Sequence, residues 1–197
     1  MHKKLIFPTE LYSFNNENID NDKIKEIILE KEKNEPSKKL SNKGGWQSQE
    51  DLIKEKDFSE IKDFLFECTE SITKDLLLDN VKFFMLQGWA NVNRKGDYNI
   101  PHIHPNSHWS CAYYITETYL APIYFFDPRI RAEMFSAVDS KTIGLEKSVP
   151  GQALFFPAWL QHAVHHNLTD NPRISISCNF QLTWPDRGKY GNISRKS

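Results

Sequence analysis

The 197-residue chain, 39% hydrophobic, has the size of one globular domain with a sizeable core. Its formal net charge of −1 gives no electrostatic basis for binding nucleic acid. The three cysteines, Cys68, Cys111 and Cys178, form no Cys-x-x-Cys pair, which predicts reduced, buried thiols. No signal-peptide core precedes Pro8, and no apolar run approaches the about 20 residues of a membrane span. We therefore expect a cytoplasmic protein that does not enter a membrane.

The first eighty residues alternate between regular and irregular segments. Lys4–Phe7 is a candidate short strand, ended by a proline. Apolar residues at helical spacing predict amphipathic helices over Asp20–Glu32 and, with the clearest period, over Asp57–Leu78. The Pro-, Ser- and Gly-rich segment Asn34–Gln49 between them predicts an irregular connection. Trp46 within it is expected to cover the core rather than to contact a substrate.

From Val81 onwards the pattern changes to short aromatic and β-branched runs separated by turn residues. Helices followed by many short strands predict an α+β fold with a double-stranded β-helix (jelly-roll or cupin-like) core and N-terminal helices packed on one sheet. We expect a single domain, with a helical layer over 1–80, the β core over 81–184 and a polar tail over 185–197. The candidate strands are Val81–Asn91, Trp109–Ile115, Pro122–Phe126, Gln152–Phe156, Gln161–His165 and Arg173–Leu182.

Six of the seven histidines fall in two clusters. His102 and His104 are two residues apart, a spacing that places both imidazoles on one face of an extended chain. Pro101 and Pro105 bracket the pair and favour extended backbone. The pair alone is weak evidence for a metal, and the direction of His108, beyond a turn, is not readable from the spacing.

The second cluster strengthens the metal hypothesis. If the segments around His162 and Arg173 pair as a hairpin with Val164 opposite Arg173, then His162 lies opposite Ser175 on the same face. His165 would point the other way and is interpreted as structural. This register predicts one face with an imidazole, a guanidinium and a hydroxyl.

These residue types suit an oxygenase centre. Three imidazoles, or two with a carboxylate, leave open metal positions, as in non-haem Fe(II) oxygenases. An arginine with a nearby hydroxyl can grip a carboxylate through charge-assisted hydrogen bonds. Arg173 would be costly to bury without an anion; the alternative is a surface position or an ion pair with Asp170.

The residues resemble the Fe(II)/2-oxoglutarate-dependent dioxygenase superfamily, especially its prolyl-hydroxylase-like branch, and look closest to oxygenases of phages and marine bacteria. The resemblance covers roughly Val81–Leu182, and more loosely LIFPTELY and GGWQSQEDL near the start. It implies Fe(II) and 2-oxoglutarate as cofactors and hydroxylation of a substrate with release of succinate and CO2. In the superfamily a His-x-Asp or His-x-Glu pair, a distal histidine and a later arginine form the site.

The resemblance assigns roles to individual residues. The metal ligands fall on His102 and His162, and the far carboxylate of 2-oxoglutarate falls on Arg173 and Ser175. Tyr114 matches a position whose hydroxyl often reaches the same carboxylate. Asn91 resembles a co-substrate-contacting asparagine of the nucleic-acid-repair branch.

One position departs from the family pattern, because His104 occupies the place of the acidic ligand. His104 could be a third histidine ligand, in which case His102, His104 and His162 form the catalytic metal centre. A carboxylate from elsewhere, Asp97 or Asp127, could instead complete the site. The third alternative is a site that has lost catalysis.

Two other classes of protein remain open. A cupin-like three-histidine dioxygenase would use no 2-oxoglutarate, and Arg173 would bind the carboxylate of its substrate. A non-catalytic β-sandwich would bind a ligand through aromatic residues such as Trp89, Trp109, Tyr113 and Trp159. The substrate, a small molecule or a peptide, is not readable from the sequence, and a homodimer is compatible with an exposed edge strand.

Overall fold

The computed structural model describes residues 2, 8–78, 80–118, 120–129, 142–144 and 148–184. The predicted strand Lys4–Phe7 and the predicted tail lie outside these residues. Neither described helix is long and apolar enough to span a bilayer. The elements are β1 (Tyr12–Asn15), α1 (Asn21–Asn34), β2 (Asn42–Lys43), β3 (Trp46–Gln47), α2 (Ser59–Asp75), β4 (Lys82–Asn93), β5 (Tyr98–His102), β6 (Trp109–Tyr114), β7 (Ile123–Phe126), β8 (Thr142–Gly144), β9 (Gln152–Pro157), β10 (His162–Val164) and β11 (Arg173–Thr183).

The strands form two antiparallel sheets that face each other. The major sheet has six strands in the order β1-β9-β6-β11-β4-β3, and the minor sheet has five in the order β2-β5-β10-β7-β8. Between them Tyr114, Leu154 and Phe156 of the major sheet pack with Ile123 and Phe125 of the minor sheet. This arrangement confirms the predicted double-stranded β-helix.

Both helices pack on the outer face of the major sheet, as predicted. α1 begins after Asp20, whose side chain caps the helix by accepting from the backbone N–H of Lys23. The helices bury their apolar stripes in one core with strands β4, β6, β9 and β11. Trp46 joins this core and donates its Nε1–H to the carbonyl of Glu35, which confirms that it covers the core. The three cysteines are buried and unpaired, also as predicted.

The long strand β11 separates two environments along its length. Its even-numbered residues from Ile174 to Phe180 belong to the core beneath the helices. Its odd-numbered residues line a cavity between the two sheets; they are Arg173, Ser175, Ser177 and Asn179. The same alternation continues in β4, where Gln87, Trp89 and Asn91 line the cavity while Ala90 and Val92 are in the helical core. A period of two therefore gives the cavity a largely polar floor.

The predicted hairpin between His162 and Arg173 is wrong. β10 pairs with β5 and β7 in the minor sheet, whereas β11 pairs with β4 and β6 in the major sheet. The connection between β10 and β11 is folded around Asn167, whose side-chain amide donates to the carbonyls of Asn93 and Asn171. The connection crosses from one sheet to the other, so consecutive strands of the sequence face each other instead of pairing.

Five further strands escaped prediction from the sequence. β1, β2, β3 and β8 have two to four residues, too few to show a period. β5 contains Pro101, which normally argues against a strand interior. The segment Asn34–Gln49, predicted to be irregular, supplies β2 to the minor sheet and β3 to the major sheet.

Candidate active site

Three histidines converge at one end of the cavity. His102 is the last residue of β5 and lies directly opposite His162, the first residue of β10. One ring nitrogen from each of His102, His104 and His162 lies within 4.8 Å of the others. The Nε2 atoms of His104 and His162 are 3.3 Å apart. Two ligands bound about 2.1 Å from one ion at roughly right angles are separated by about 3 Å, so this spacing suits a shared metal.

Backbone carbonyls orient two of the three rings. Nδ1 of His102 donates to the carbonyl of Ile100 at 2.7 Å, and Nδ1 of His162 donates to the carbonyl of Leu160 at 2.9 Å. Because a carbonyl oxygen only accepts, the proton lies on Nδ1 and the Nε2 lone pair is free. Both contacts join residue i to residue i−2, so the chain itself prepares each imidazole for a metal.

The imidazoles are held in the neutral form that metal binding requires. Burial lowers the pKa of His102 and lowers that of His104 to about 3, with the nearby His102 adding to the effect. Burial and the other two histidines also lower the pKa of His162 well below its ordinary value. At neutral pH the metal-free cluster therefore consists of uncharged donors.

His104 lies beyond the end of β5 and is held by other contacts. Its backbone N–H donates to the carbonyl of Ala158, and its ring packs at 5.7 Å from that of Trp89 on β4. His104 therefore faces the cluster, and the interpretation in which it turns away is wrong.

No carboxylate takes its place within the described part of the chain. The cluster able to hold a metal there contains the three histidines alone. Asp97, one candidate carboxylate, accepts the backbone N–H of Arg94 in a turn. Asp127, the other, is bound to Arg129. Both are engaged outside the cavity lining, so neither acts as the acidic ligand that the sequence left open.

The remaining described histidines near these strands do not join the cluster. His108 accepts the backbone N–H of Leu182 through Nδ1. His165 and His166 are exposed, and His166 packs on Tyr98 with ring centroids 4.1 Å apart. His165 therefore points away from the site, as predicted, although the register that gave this prediction is wrong.

Arg173 lies on the opposite wall of the cavity and is 3% exposed. Its Nε donates to the carbonyl of Ala121 at 3.0 Å and its NH1 group to the hydroxyl of Ser175 at 3.1 Å. These partners are uncharged, and Arg173 makes no ion pair with a described residue; Asp170 is bound to Lys95 instead. Burial lowers the pKa of Arg173, which expresses the cost of an uncompensated guanidinium.

Tyr114 and Asn91 lie beside this arginine in one row across the sheet. Ser175 of β11 is directly opposite Tyr114 of β6 on one side and Asn91 of β4 on the other. Tyr114 is fully buried, and its ring lies 5.5 Å from the guanidinium carbon of Arg173. Its hydroxyl lies beside the side chains of Arg173 and Ser148. Asn91 donates to the hydroxyl of Ser177. A guanidinium that has no ionic partner among the described residues, with hydroxyls beside it, suits an anionic oxygen.

One cavity of about 620 Å³ contains both parts of the site: the histidine cluster, here called the metal end, and Arg173 with its neighbours, here called the anion end. The histidine cluster, Arg173, Ser175 and Asn91 all line it. Three converging imidazole nitrogens fit a divalent transition metal, and the arginine with its neighbours fits a carboxylate. The residues present therefore match a metal ion together with a small dicarboxylate.

A double-stranded β-helix with such a cluster and a buried arginine defines the class of non-haem metal oxygenases. Residues 87–179 match the family model described as "Putative 2OG-Fe(II) oxygenase". Over these residues, just under half of the chain, the sequence is similar to the Fe(II)/2-oxoglutarate-dependent oxygenases. No curated protein matches the sequence significantly.

Solved structures of low sequence identity share the fold. The Pseudomonas putida prolyl-4-hydroxylase aligns with a TM-score of 0.61 at 13% identity, over 88% of this chain and 92% of that one. HygX from Streptomyces hygroscopicus, with nickel, 2-oxoglutarate and hygromycin B bound, gives 0.61 at 14% identity over 88% and 83%. The epimerase SnoN from nogalamycin biosynthesis gives 0.63 at 11% over 89% and 80%.

Several residues of the site were missed from the sequence. The carbonyls of Ile100, Leu160 and Ala121, which orient His102, His162 and Arg173, carry no sequence signal because every residue has a carbonyl. Gln47 and Trp89 also line the cavity. The alternation of polar residues along β4 could have indicated Trp89, but Gln47 lies in a two-residue strand without a readable period.

Proposed function

We propose that the protein hydroxylates an organic substrate at a three-histidine iron centre, with 2-oxoglutarate as co-substrate. The observation that carries the proposal is the buried, unpaired Arg173 in the same cavity as three neutral histidines. The cluster supplies metal ligands without charge, and the arginine requires an anion. A dicarboxylate that also chelates the metal satisfies both requirements.

Each residue has a role in this proposal. His102, His104 and His162 would hold Fe(II). Arg173 and Ser175 would bind the far carboxylate of 2-oxoglutarate. When bound, Fe(II) and 2-oxoglutarate supply the oxidising power for hydroxylation, with release of succinate and CO2.

The surrounding residues position these groups and exclude water. Tyr114 would donate its hydroxyl to the same carboxylate, and Asn91 would contact the co-substrate from the neighbouring strand. Phe156 and Phe125 pack on His162, with centroid distances of 4.6 and 6.0 Å, which keeps water from one side of the cluster. A dry, preformed site strengthens its electrostatic contacts.

The experiment is a titration of the purified protein with Fe(II) and then with 2-oxoglutarate under anaerobic conditions. We expect one equivalent of iron, a change in visible absorption on adding 2-oxoglutarate, and succinate after oxygen is admitted. Iron binding without any response to 2-oxoglutarate would favour the cupin-like three-histidine dioxygenase. A protein that binds neither would be a non-catalytic module.

Three further expectations are proposals from the sequence. A cytoplasmic location follows from the composition, and kinship with phage and marine bacterial oxygenases from the motifs. A homodimer is compatible with pairing through an edge strand of either sheet.

A further inference from the structure

A row of four residues crosses the floor of the cavity below the metal end. Asn179 of β11 lies directly opposite Gln87 of β4 on one side and Ser110 of β6 on the other. Ser110 in turn lies opposite Phe156 of β9, whose ring packs on that of His162 with centroids 4.6 Å apart. Asn179 and Gln87, here called the amide pair, both line the cavity. They therefore belong to the ligand space at the level of the metal end.

The amide pair lies on the far side of the metal end from the anion end. Along β11, Ser175 and Asn179 are four residues apart, which is about 13 Å in a strand. Ser177, halfway between them, lies opposite Trp89, whose ring packs at 5.7 Å from that of His104. The histidines thus contact the rows of both Ser177 and Asn179. A five-carbon acid that joins the anion end to the metal covers Ser177 and leaves the amide pair to a second molecule, the substrate to be oxidised.

Asn179 presents a fixed amide donor to the cavity. It is 2% exposed, and its Oδ1 accepts a hydrogen bond of 2.9 Å from the hydroxyl of the buried Ser110. Its Nδ2 makes no hydrogen bond with a described residue. An unpartnered side-chain nitrogen that is closed to solvent occurs at Nε2 of Gln47 but not at Nδ2 of Asn179. The amide nitrogen of Asn179 therefore keeps surface that is open to the cavity, while its oxygen is held from behind.

Gln87 completes the pair with a half-buried side chain that makes no hydrogen bond with a described residue. Residues directly opposite each other in an antiparallel pair have Cβ atoms about 4.5–5.5 Å apart, so the two amides can reach the same ligand group. Asn179 offers N–H groups, and Gln87 can offer its carbonyl oxygen. A ligand group that uses both has a carbonyl oxygen and an N–H side by side, as an amide has.

The surroundings of the amide pair disfavour an anion. Glu50, an exposed residue that lines the cavity, accepts the backbone N–H of Gly88 through its carbonyl and so lies beside the pair. Of the two described cationic residues that line the cavity, Arg173 forms the anion end and Lys39 lies next to the row of Ser175. A carboxylate at the amide pair would lose its hydration and meet Glu50 with no cation to balance it. An uncharged group is therefore favoured.

We propose that Asn179 and Gln87 together bind an uncharged amide group of the substrate and so determine which substrate is oxidised. Asn179 donates to the carbonyl oxygen of that group, and Gln87 accepts from its N–H. The proposal rests on the proposed function, because it assigns the anion end to 2-oxoglutarate. A volume of about 620 Å³ is consistent with both molecules, since sites of this size hold drug-sized ligands. A peptide bond and the carboxamide of a small molecule share this chemistry.

The test compares Gln87→Leu and Asn179→Leu with Gln181→Leu, a matched control at an exposed glutamine of β11 outside the cavity lining. The probes are benzamide, methyl benzoate and benzoate, which differ only in the functional group, and the neutral peptide acetyl-tetraalanine amide. Binding is measured by ligand-observed NMR, which detects millimolar affinities. Every protein is titrated twice, once metal-free and once with Ni(II) and 2-oxoglutarate, which blocks Arg173 against benzoate. Calorimetry with 2-oxoglutarate and thermal unfolding are measured in parallel.

We expect wild type to bind benzamide about three- to tenfold more tightly than methyl benzoate, because the ester lacks the N–H that Gln87 accepts. With 2-oxoglutarate present, benzoate should bind least. Gln87→Leu should remove the preference for the amide over the ester, whereas Asn179→Leu should weaken both probes about three- to tenfold. Binding of 2-oxoglutarate should stay within about twofold in both variants, and the control should match wild type throughout.

Thermal unfolding separates a binding role from a structural one. Gln87→Leu should melt within about 2 °C of wild type, because its side chain has no hydrogen-bond partner among the described residues. Asn179→Leu should melt about 2–4 °C lower, because the hydroxyl of Ser110 loses its acceptor. Gln87→Leu is therefore the deciding variant.

Three results would overturn the proposal: no binding of benzamide or the peptide to wild type, binding of the ester or of benzoate as tight as that of benzamide, or an amide preference that persists in Gln87→Leu. A clear loss of thermal stability in Gln87→Leu would likewise make Gln87 a structural residue. Absence of 2-oxoglutarate binding to wild type contradicts the proposed function instead. The titrations of metal-free protein still test the amide pair in that case, so the two failures are distinguished.

Discussion

The metal end and the anion end of the cavity are built in different ways. The metal end consists of three uncharged imidazoles. Two lie on short strands of the minor sheet and are oriented by carbonyls two residues away, and the third lies just beyond the end of β5. The anion end carries a buried positive charge on the longest strands of the major sheet, and its partners Ala121 and Ser175 are neutral. No described carboxylate belongs to either end. Under the proposed function, the co-substrate would supply negative charge to both the metal dication and Arg173, and a histidine at position 104 would make metal binding depend more on 2-oxoglutarate than an acidic ligand would.

The largest expected effect is a loss of metal binding. His162→Ala should reduce affinity for Fe(II) or Ni(II) by about hundredfold or more, because it removes the most buried of the three ligands. Metal content after dialysis and a Ni(II) titration measure the effect. His165→Ala, at an exposed histidine nearby, is the control. Full metal content in His162→Ala would contradict the proposed centre.

The next largest effect is on 2-oxoglutarate binding, with metal binding retained. Arg173→Met should weaken 2-oxoglutarate binding about hundredfold while one equivalent of metal still binds, since a desolvated charge pair is lost. The metal-free variant should be as stable as wild type or more so, because an unpaired buried cation is replaced by an apolar side chain. Calorimetry and thermal unfolding measure the two. Arg129→Met, which breaks the exposed pair with Asp127, should change neither.

A substitution at His104 tests how charge is shared between the ends. His104→Asp should raise Fe(II) affinity about tenfold, because a carboxylate attracts the cation more strongly than an imidazole. The same charge should weaken 2-oxoglutarate binding several-fold by repelling the dianion. Paired titrations with metal and co-substrate measure both changes. Unchanged values for both would exclude His104 as a ligand.

The smallest expected effect concerns the hydroxyl of Tyr114 at the anion end. Tyr114→Phe should weaken 2-oxoglutarate binding about threefold and leave metal binding unchanged. Stability without ligand should change little, because the Tyr114 hydroxyl makes no hydrogen bond of full geometry with a described residue. Tyr12→Phe, at a surface tyrosine bonded to Asp75, is a control with no expected effect on the co-substrate. A loss of stability without a change in binding would assign Tyr114 a structural role.

The features that the sequence predicted well are those that depend on residues close together in the chain. The spacing of His102 and His104 is local, and the structure brings both to one cluster with His162. The periods of the two helices were likewise readable, and β4, β6, β9 and β11 were recognised as aromatic and β-branched runs between turn residues. These segments were therefore predicted almost to their ends.

The pairing of His162 with Arg173 was not readable from local signals. A turn between two strands looks the same whether the strands are neighbours in one sheet or cross to the facing sheet. Here the connection crosses, because Asn167 binds the carbonyl of Asn93 and so anchors the loop on β4. The two residues still share a cavity, but across it and not side by side. The place of Gln47 in the cavity lining could not be predicted, because it lies in a strand of two residues, which is too short to show a period.

The alternation along β11 has a consequence for how such a site can diverge. Odd-numbered positions from Arg173 to Asn179 are in contact with ligand space, and even-numbered positions are in contact with the helices. Exchanges at Ser177 or Asn179 can reshape what the cavity accepts while the helical core stays intact. An insertion of one residue would bring isoleucines to the cavity and send the arginine into the core, which would abolish folding and activity together. New specificities in this lineage should therefore arise by replacement at alternate positions, with the length of β11 kept constant.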